Sequence, residues 1–266
     1  MSIIDFHTHA FPDSLAERAI AKLQEPGDWT AVLDGRLSSL LASMDAAGVE
    51  RSVVCPIATR PAQFPGILEW CLQIRSEHIV PLGSMHPESQ DLLSEIDQVA
   101  RAGLVGLKLH PMYQDFCVDE PRMDALYAAA AERGLLVVLH CGCDIAYPNF
   151  DCAHPRRVAA VLEKHPTLKL IATHMGGWRM WEDSRRHVVG SGVWLETSFS
   201  IHELPAEQAV EMIRRHGADR VLFGTDSPWT DQAGEIERIR QLPLTEEEKT
   251  AILGGNAARL LDGRGA

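Results

Sequence analysis

The sequence predicts an α/β chain folded as a (β/α)8 TIM barrel. Three observations predict it. Eight apolar runs recur along the 266 residues. Most of them are near-continuous in hydrophobicity, as strands covered on both faces should be. After the first, they start about 25–33 residues apart, the length of a strand, a helix and two short loops. Six of the twelve histidines fall at or just past the C-terminal ends of these runs, the rim where such barrels carry their chemistry.

The runs are "SIIDFHTH" (2–9), "RSVVCPI" (51–57), "IVPLGSMHP" (79–87), "LVGLKLHP" (104–111), "LLVVLHCG" (135–142), "LKLIATHMGG" (168–177), "GVWLETSFS" (192–200) and "RVLFGTDSPW" (220–229). The first interval is longer and has room for two helices, roughly 13–25 and 36–47, with "EPGDWT" between them. "EPRMDALYAAAAERG" (120–134) is Ala-rich with an acidic start and a Gly stop, a helix pattern. "HPRRVAAVLEKHP" (154–166) ends before a proline, as a helix should. A last helix is expected near 245–262, where Thr245 and Glu248 have the spacing of a capping box. A doubly wound open sheet is the competing architecture, but no Gly-x-Gly-x-x-Gly follows any run. No low-complexity linker divides the chain, so residues 1–266 are expected to form a single domain.

Composition narrows the function. Hydrophobic content is 45% and charged content 23%, ordinary for a globular protein with a core. The net charge of −12 argues against a nucleic-acid or anionic-membrane binder. No run of about 18 apolar residues exists, and "MSIIDFHTH" lacks the basic start and cleavage site of a signal peptide. These features point to a cytoplasmic protein acting on a small molecule, and a homo-oligomer is compatible with them. The six cysteines form no paired Cys-x-x-Cys elements and are expected to be reduced thiols.

The chemistry lies in the histidines. His7 and His9, one residue apart on a strand, point to the same side and can share one ion. His86, His110, His140 and His174 end later runs, and Asp226 in "FGTDSPW" holds the same position on the eighth. Rim positions make up about a tenth of such a chain, so chance would put about one histidine there. Imidazoles with one carboxylate suit Zn²⁺ and accept Mn²⁺, Fe²⁺ or Co²⁺. Such a set leaves an open position where the ion brings a water's pKa towards about 7.

His-x-His on strand one, His on strand five, "THMGG" on strand six and "GTDSP" on strand eight, in that order over nearly the whole chain, resemble the amidohydrolase superfamily. The nearer likeness is its amidohydrolase-2 branch, which includes relatives of aminocarboxymuconate-semialdehyde decarboxylase and many metal-dependent hydrolases. The resemblance implies that His7, His9, His140 and Asp226 bind a divalent transition metal, zinc first. It implies that Asp226 moves the water's proton and that His174 polarises the water or steadies developing charge. In members with two metals, a carboxylated lysine or a glutamate on strand four bridges the ions. Lys108 and His110 share a face of strand four. Lys108 is then a bridging carbamate, an anchor for a substrate carboxylate, or a lysine that merely snorkels out. His110 is a substrate contact or an extra ligand. Arg179 and Trp229 follow strands six and eight, where loops shape substrate pockets. Glu196 and Ser198 share a face of strand seven without a readable role.

The expected activity is hydrolysis of an amide, ester or lactone by a metal-activated water. The alternative is non-oxidative decarboxylation with the same ligands. A non-catalytic metal-binding barrel is the third reading, and a complete ligand set argues against it.

Overall fold

The computed structural model describes residues 2–25, 29–147 and 150–263. Eight short strands alternate with helices: β1 (Ile3–Thr8), β2 (Val49–Val54), β3 (Ile79–Pro81), β4 (Gly106–Leu109), β5 (Leu136–Leu139), β6 (Lys169–Ala172), β7 (Trp194–Glu196) and β8 (Val221–Leu222). Each overlaps one apolar run, β2 starting two residues before its own, and stops short of the run's end. After β6, β7 and β8 the reason is backbone geometry past the strand. His174, Met175, Arg179, Phe199 and Asp226 all have positive φ, between 50° and 65°. Non-glycine residues rarely adopt that region, and it costs about 1–3 kcal/mol each. Hydrophobicity marks the whole run, but the rim residues leave extended geometry.

The chain clusters into two compact units. The first comprises Met1–Val54, Glu77–Ile79 and Glu196–Ala266. In it β1 pairs in parallel with β2, from Ile3 opposite Val49 to Thr8 opposite Val54. On the other side of β1, Phe6 N donates to Phe223 O at 2.8 Å and Thr8 bridges Ser227 in parallel. The early helices are Asp13–Gln24 and Leu37–Ala47, and part of the expected "EPGDWT" connection, 26–28, lies outside the described residues. Thr245 and Glu248 form the expected capping box. The helix it starts runs on through a π-helical turn, Ala251–Gly255, into Asn256–Asp262. Within that turn the carbonyl of Ile252 accepts Phe223 N at 3.0 Å. The chain leaving β8 is thereby tied to the last helix.

The second unit comprises Cys55–Ser76 and Val80–Leu195. Here β4, β5 and β6 pair in parallel, and β6 continues to β7 through Ile171 opposite Trp194. Val137, Val138, Leu139 and Ile171 are fully buried, each burial worth about 1.5–3 kcal/mol. The Ala-rich stretch forms a 3-10 turn, Pro121–Met123, and a helix, Asp124–Glu132. Its buried face carries Leu126, Tyr127, Ala129 and Ala130. The next helix, Pro155–Lys164, is capped by His154, which accepts Arg156 N at 3.1 Å.

The expectation of six reduced thiols is corrected here. Cys117 and Cys152 form a disulfide, and Cys55, Cys71, Cys141 and Cys143 are thiols. The separation of 35 residues is close to one strand-plus-helix repeat. Equivalent positions after β4 and β5 therefore lie side by side, and Val118 N donates to Cys152 O at 3.0 Å. Closing a loop of that length removes chain entropy from the unfolded state worth about 3–4 kcal/mol. Cys152→Ser is expected to lower the urea-unfolding free energy of the oxidised protein by that order, and a dithiol reductant to do the same to the wild type. Unchanged midpoints in both would contradict the crosslink.

Candidate active site

In the first unit, β1 and the turn after β8 bring His7, His9 and Asp226 together. His7 Nε2 and His9 Nε2 are 3.2 Å apart. Asp226 Oδ1 stands 3.4 Å from His7 Nε2 and 3.1 Å from His9 Nε2. Asp226 N donates to His7 O and Asp226 O accepts Trp229 N, which holds the turn in its left-handed conformation. His7 is buried, while the side chains of His9 and Asp226 are 13% and 15% exposed. Trp229 is half-buried beside them in sequence.

Behind His7, its Nδ1 lies 3.1 Å from Glu196 Oε1 and 2.9 Å from Ser198 Oγ. Ser198 donates both its N–H and its hydroxyl to Glu196, at 2.7 Å each. The alternation of strand seven puts Glu196 and Ser198 on one face, but nothing in the sequence signals that His7 is the residue they meet. Deeper still, Asp5 is wholly buried and accepts from Thr225 N, Thr225 Oγ1, Gln232 Nε2 and His7 N. Burial pushes its carboxyl up to about 7 against those four donors. Asp5 ties β1 to the Thr225–Asp226 turn, a role the alternation of "IDFHTH" does not reveal.

The donor set fits a divalent ion. With its Nδ1 facing a carboxylate, His7 turns its Nε2 lone pair towards His9 and Asp226. Two imidazole nitrogens and a carboxylate oxygen then crowd within 3.1–3.4 Å. Donors about 2.0–2.1 Å from a tetrahedral zinc stand about 3.3–3.4 Å apart.

In the second unit, β4, β5 and β6 present Lys108, His110, His140 and His174. Gln114 holds the β4 end: it accepts His110 N and donates to Ala58 O and Met85 O. Lys108 is entirely buried, which removes the reading in which it snorkels to solvent. His110 Nε2 lies 3.4 Å from Asp144 Oδ2, and its ring stacks on His140 with centroids 4.0 Å apart and planes 21° apart. Asp144 sits in the loop after β5, where no periodicity marks it. His110, His140 and Asp144 are spaced for a metal, but rings stacked nearly parallel direct their lone pairs side by side and do not converge on one ion. His140 Nε2 meets the Cys143 carbonyl at 2.9 Å, and His140 Nδ1 meets His174 Nε2 at 3.0 Å. Because the carbonyl only accepts, His140 donates through Nε2 and accepts from His174 at Nδ1. Within this unit, then, both nitrogens of the predicted ligand His140 are engaged by protein. Gly142, at φ 91°, has no room for a Cβ against the Trp178 backbone. Its close approach lets Trp178 N donate to Cys141 O and Cys143 N to Trp178 O, joining the loops after β5 and β6. Arg179 is exposed, its guanidinium 4.2 Å over the Trp178 ring. His86 is buried and accepts Glu88 N.

Burial, then the charges of His110 and His174, hold the His140 imidazole well below its ordinary 6.5. Unfolding restores the ordinary value, so below about 6.5 the unfolded chain binds the extra proton and folding weakens as pH falls. In chelator-treated protein, the stability advantage of wild type over His140→Asn is expected to shrink as pH drops below about 6.5. Thermal scans across pH 5–8 check this, and an advantage that grows towards acid would contradict it.

His7, His9 and Asp226 thus form a candidate metal site, part-buried at the ends of β1 and β8. The chain belongs to the amidohydrolase family, whose amidohydrolase-2 model matches residues 4–263. No curated protein matches it by sequence. Among solved structures it is similar to an uncharacterised TIM-barrel protein of Bordetella bronchiseptica, at 21% identity and TM-score 0.80 over 100% of both chains. It is similar to 5-carboxyvanillate decarboxylase of Novosphingobium aromaticivorans complexed with manganese and 4-hydroxy-3-methoxy-5-nitrobenzoic acid. That match has 15% identity and TM-score 0.74 over 98% of this chain and 96% of that one. A protein of Acinetobacter baumannii described as a probable 2-pyrone-4,6-dicarboxylic acid hydrolase matches at 15% identity and TM-score 0.70, over 98% and 100%. These likenesses show the fold, a (β/α)8 TIM barrel. No helix among the described residues is long and apolar enough to cross a membrane.

Proposed function

We propose that the chain is a metal-dependent hydrolase acting on an amide, ester or lactone carbonyl of a small molecule in the cytoplasm, working as a single catalytic domain. The observation that carries this reading is Asp226, a part-exposed carboxylate set 3.1 and 3.4 Å from two histidine nitrogens. His7, His9 and Asp226 would hold the ion, and family resemblance adds His140 as a ligand. Zinc is the first choice for this nitrogen-rich set, and the manganese in one structural relative keeps Mn²⁺ in view. When bound, the ion supplies a nucleophilic water at neutral pH and polarises the carbonyl.

The side chains do the rest. Asp226 takes the water's proton and hands it to the leaving group. Were His140 to bind the ion through Nε2, its proton would sit on Nδ1 and be donated to His174 Nε2, which leaves His174 to donate from Nδ1 to the developing oxyanion. Lys108, the only lysine or arginine buried among the described residues, anchors a substrate carboxylate, and His110 contacts the substrate beside it. Arg179 and Trp229 shape the mouth.

One observation favours a second reading, non-oxidative decarboxylation. A wholly buried lysine is suited to hold the carboxylate that leaves, and a structural relative is a decarboxylase. Product analysis over a panel of small carboxylate esters, lactones and aromatic acids separates the two. A new carboxylate without CO2 supports the hydrolase. Release of CO2 with a protonated carbon moves the assignment to the lyase.

A further inference from the structure

We infer that Glu196, reached through the space at Gly224, is a positioning residue that fixes His7 as its Nδ1–H tautomer and so sets the affinity of the metal centre. The inference rests on the metal-dependent reading above and names what builds the centre's deepest ligand.

Neutral imidazole carries one proton, on either nitrogen, and in water the two forms are close in energy. At His7, Nδ1 has two oxygens in reach, Glu196 Oε1 and Ser198 Oγ. Glu196 already accepts the N–H and the hydroxyl of Ser198. With its own hydroxyl proton given to Glu196, Ser198 has only lone pairs left for His7. Both oxygens therefore accept, and the proton that satisfies them sits on Nδ1. Nε2 is left bare on the side of His9 and Asp226. A histidine with the other tautomer would present an N–H to the ion and be unable to bind it.

Burial makes this arrangement strict. His7 is 1% exposed and Glu196 0%, so water is not there to take either role. The site has been given room at a specific cost in sequence. A Cβ on Gly224 would fall on Glu196 Oε2 and within 3.0 Å of His7 Cβ. Gly224 is also pinned to Thr197, the residue after Glu196: its N–H donates to Thr197 Oγ1 at 3.1 Å and its carbonyl accepts that hydroxyl at 3.2 Å. The glycine in "FGTDSP" thus serves the carboxylate behind the metal, one residue before Thr225 and two before Asp226. Carboxylate–histidine–metal relays of this form usually contribute about 10–100-fold to metal affinity.

Two measurements on the full chain test it. Long-range ¹H–¹⁵N correlation of histidine-labelled, chelator-treated wild type reads the His7 tautomer without any metal. The expected pattern is a protonated Nδ1 and a bare Nε2, and an Nε2–H pattern overturns the inference. Competition of Zn²⁺ against a chromophoric chelator then compares wild type with Glu196→Gln, which offers one acceptor where two donors and an imidazole N–H converge. The expected result is about 10–100-fold weaker binding with the metal-free thermal midpoint near that of wild type. Unchanged affinity, or a loss of stability with affinity kept, overturns it. Should Glu196→Gln fail to fold, Gly224→Ala displaces the carboxylate from the other side and carries the same expectation, and the tautomer measurement stands alone. A wild type that binds no Zn²⁺ refutes the metal-dependent reading, while the tautomer result still decides the role of Glu196.

Discussion

Asp226→Asn is expected to lower turnover by about 10²–10⁴-fold and leave the fold intact. The fold survives because the backbone makes the turn's bonds: Asp226 N to His7 O, and Trp229 N to Asp226 O. Asparagine also tolerates the positive φ of 65° recorded at this position, which most residues do not. The chemistry fails because an amide does not accept a proton at neutral pH. Its oxygen still faces His7 and His9, so metal affinity falls less than activity. Steady-state kinetics beside a chelator competition separate the two effects. Activity within a few-fold of wild type on the same substrate would remove Asp226 from the proton's path.

The second large effect concerns the ion. His7→Ala combined with His9→Ala removes both nitrogens that face Asp226 at 3.4 and 3.1 Å. One oxygen is left from the three donors, and Asp226 with His140 is too few ligands for a divalent transition ion that usually takes four. Elemental analysis of the purified double variant is expected to fall from about one ion per chain to near zero. Full occupancy in the double variant would show that the ion sits elsewhere. The variant should remain folded, since the β1 core is made by Ile4 and Phe6, both fully buried on their own account.

How far these positions could be read from sequence differs by element. Every strand overlaps an apolar run, because a strand covered on both faces is continuous in hydrophobicity, though β2 starts at Val49, two residues before its run. The strand ends were not readable. "LKLIATH" remains apolar through Ala172, yet His174 and Met175 turn left-handed immediately after it. Rim histidines were visible by position alone, and their convergence in the first unit followed from the alternation of His7 and His9 along β1. The residues that orient them were hidden. Asp5 and Glu196 are acidic residues in apolar strands, and only the packing of β1 against the chain leaving β8, and of Ser198 over His7, shows their targets. Asp144 and the Cys117–Cys152 pair lie on loops, where neither period applies. The cysteine expectation failed for a related reason: spacing motifs report metal ribbons, while two cysteines about one repeat apart become neighbours through the barrel's own periodicity. His140 was placed at the right strand end, but its hydrogen bonds to Cys143 and His174 depend on loop conformations that no pattern in "LHCGCD" encodes.

The central claim is that the chain holds a divalent ion at His7, His9 and Asp226. A crystal structure with anomalous difference maps collected above and below the zinc and manganese edges tests it most directly. One strong peak is expected about 2.0–2.2 Å from His7 Nε2, His9 Nε2 and an Asp226 oxygen, with the His7 Nδ1 side still against Glu196. A peak at His110 and Asp144 with none at His7, or no peak in crystals grown with added metal, would contradict it.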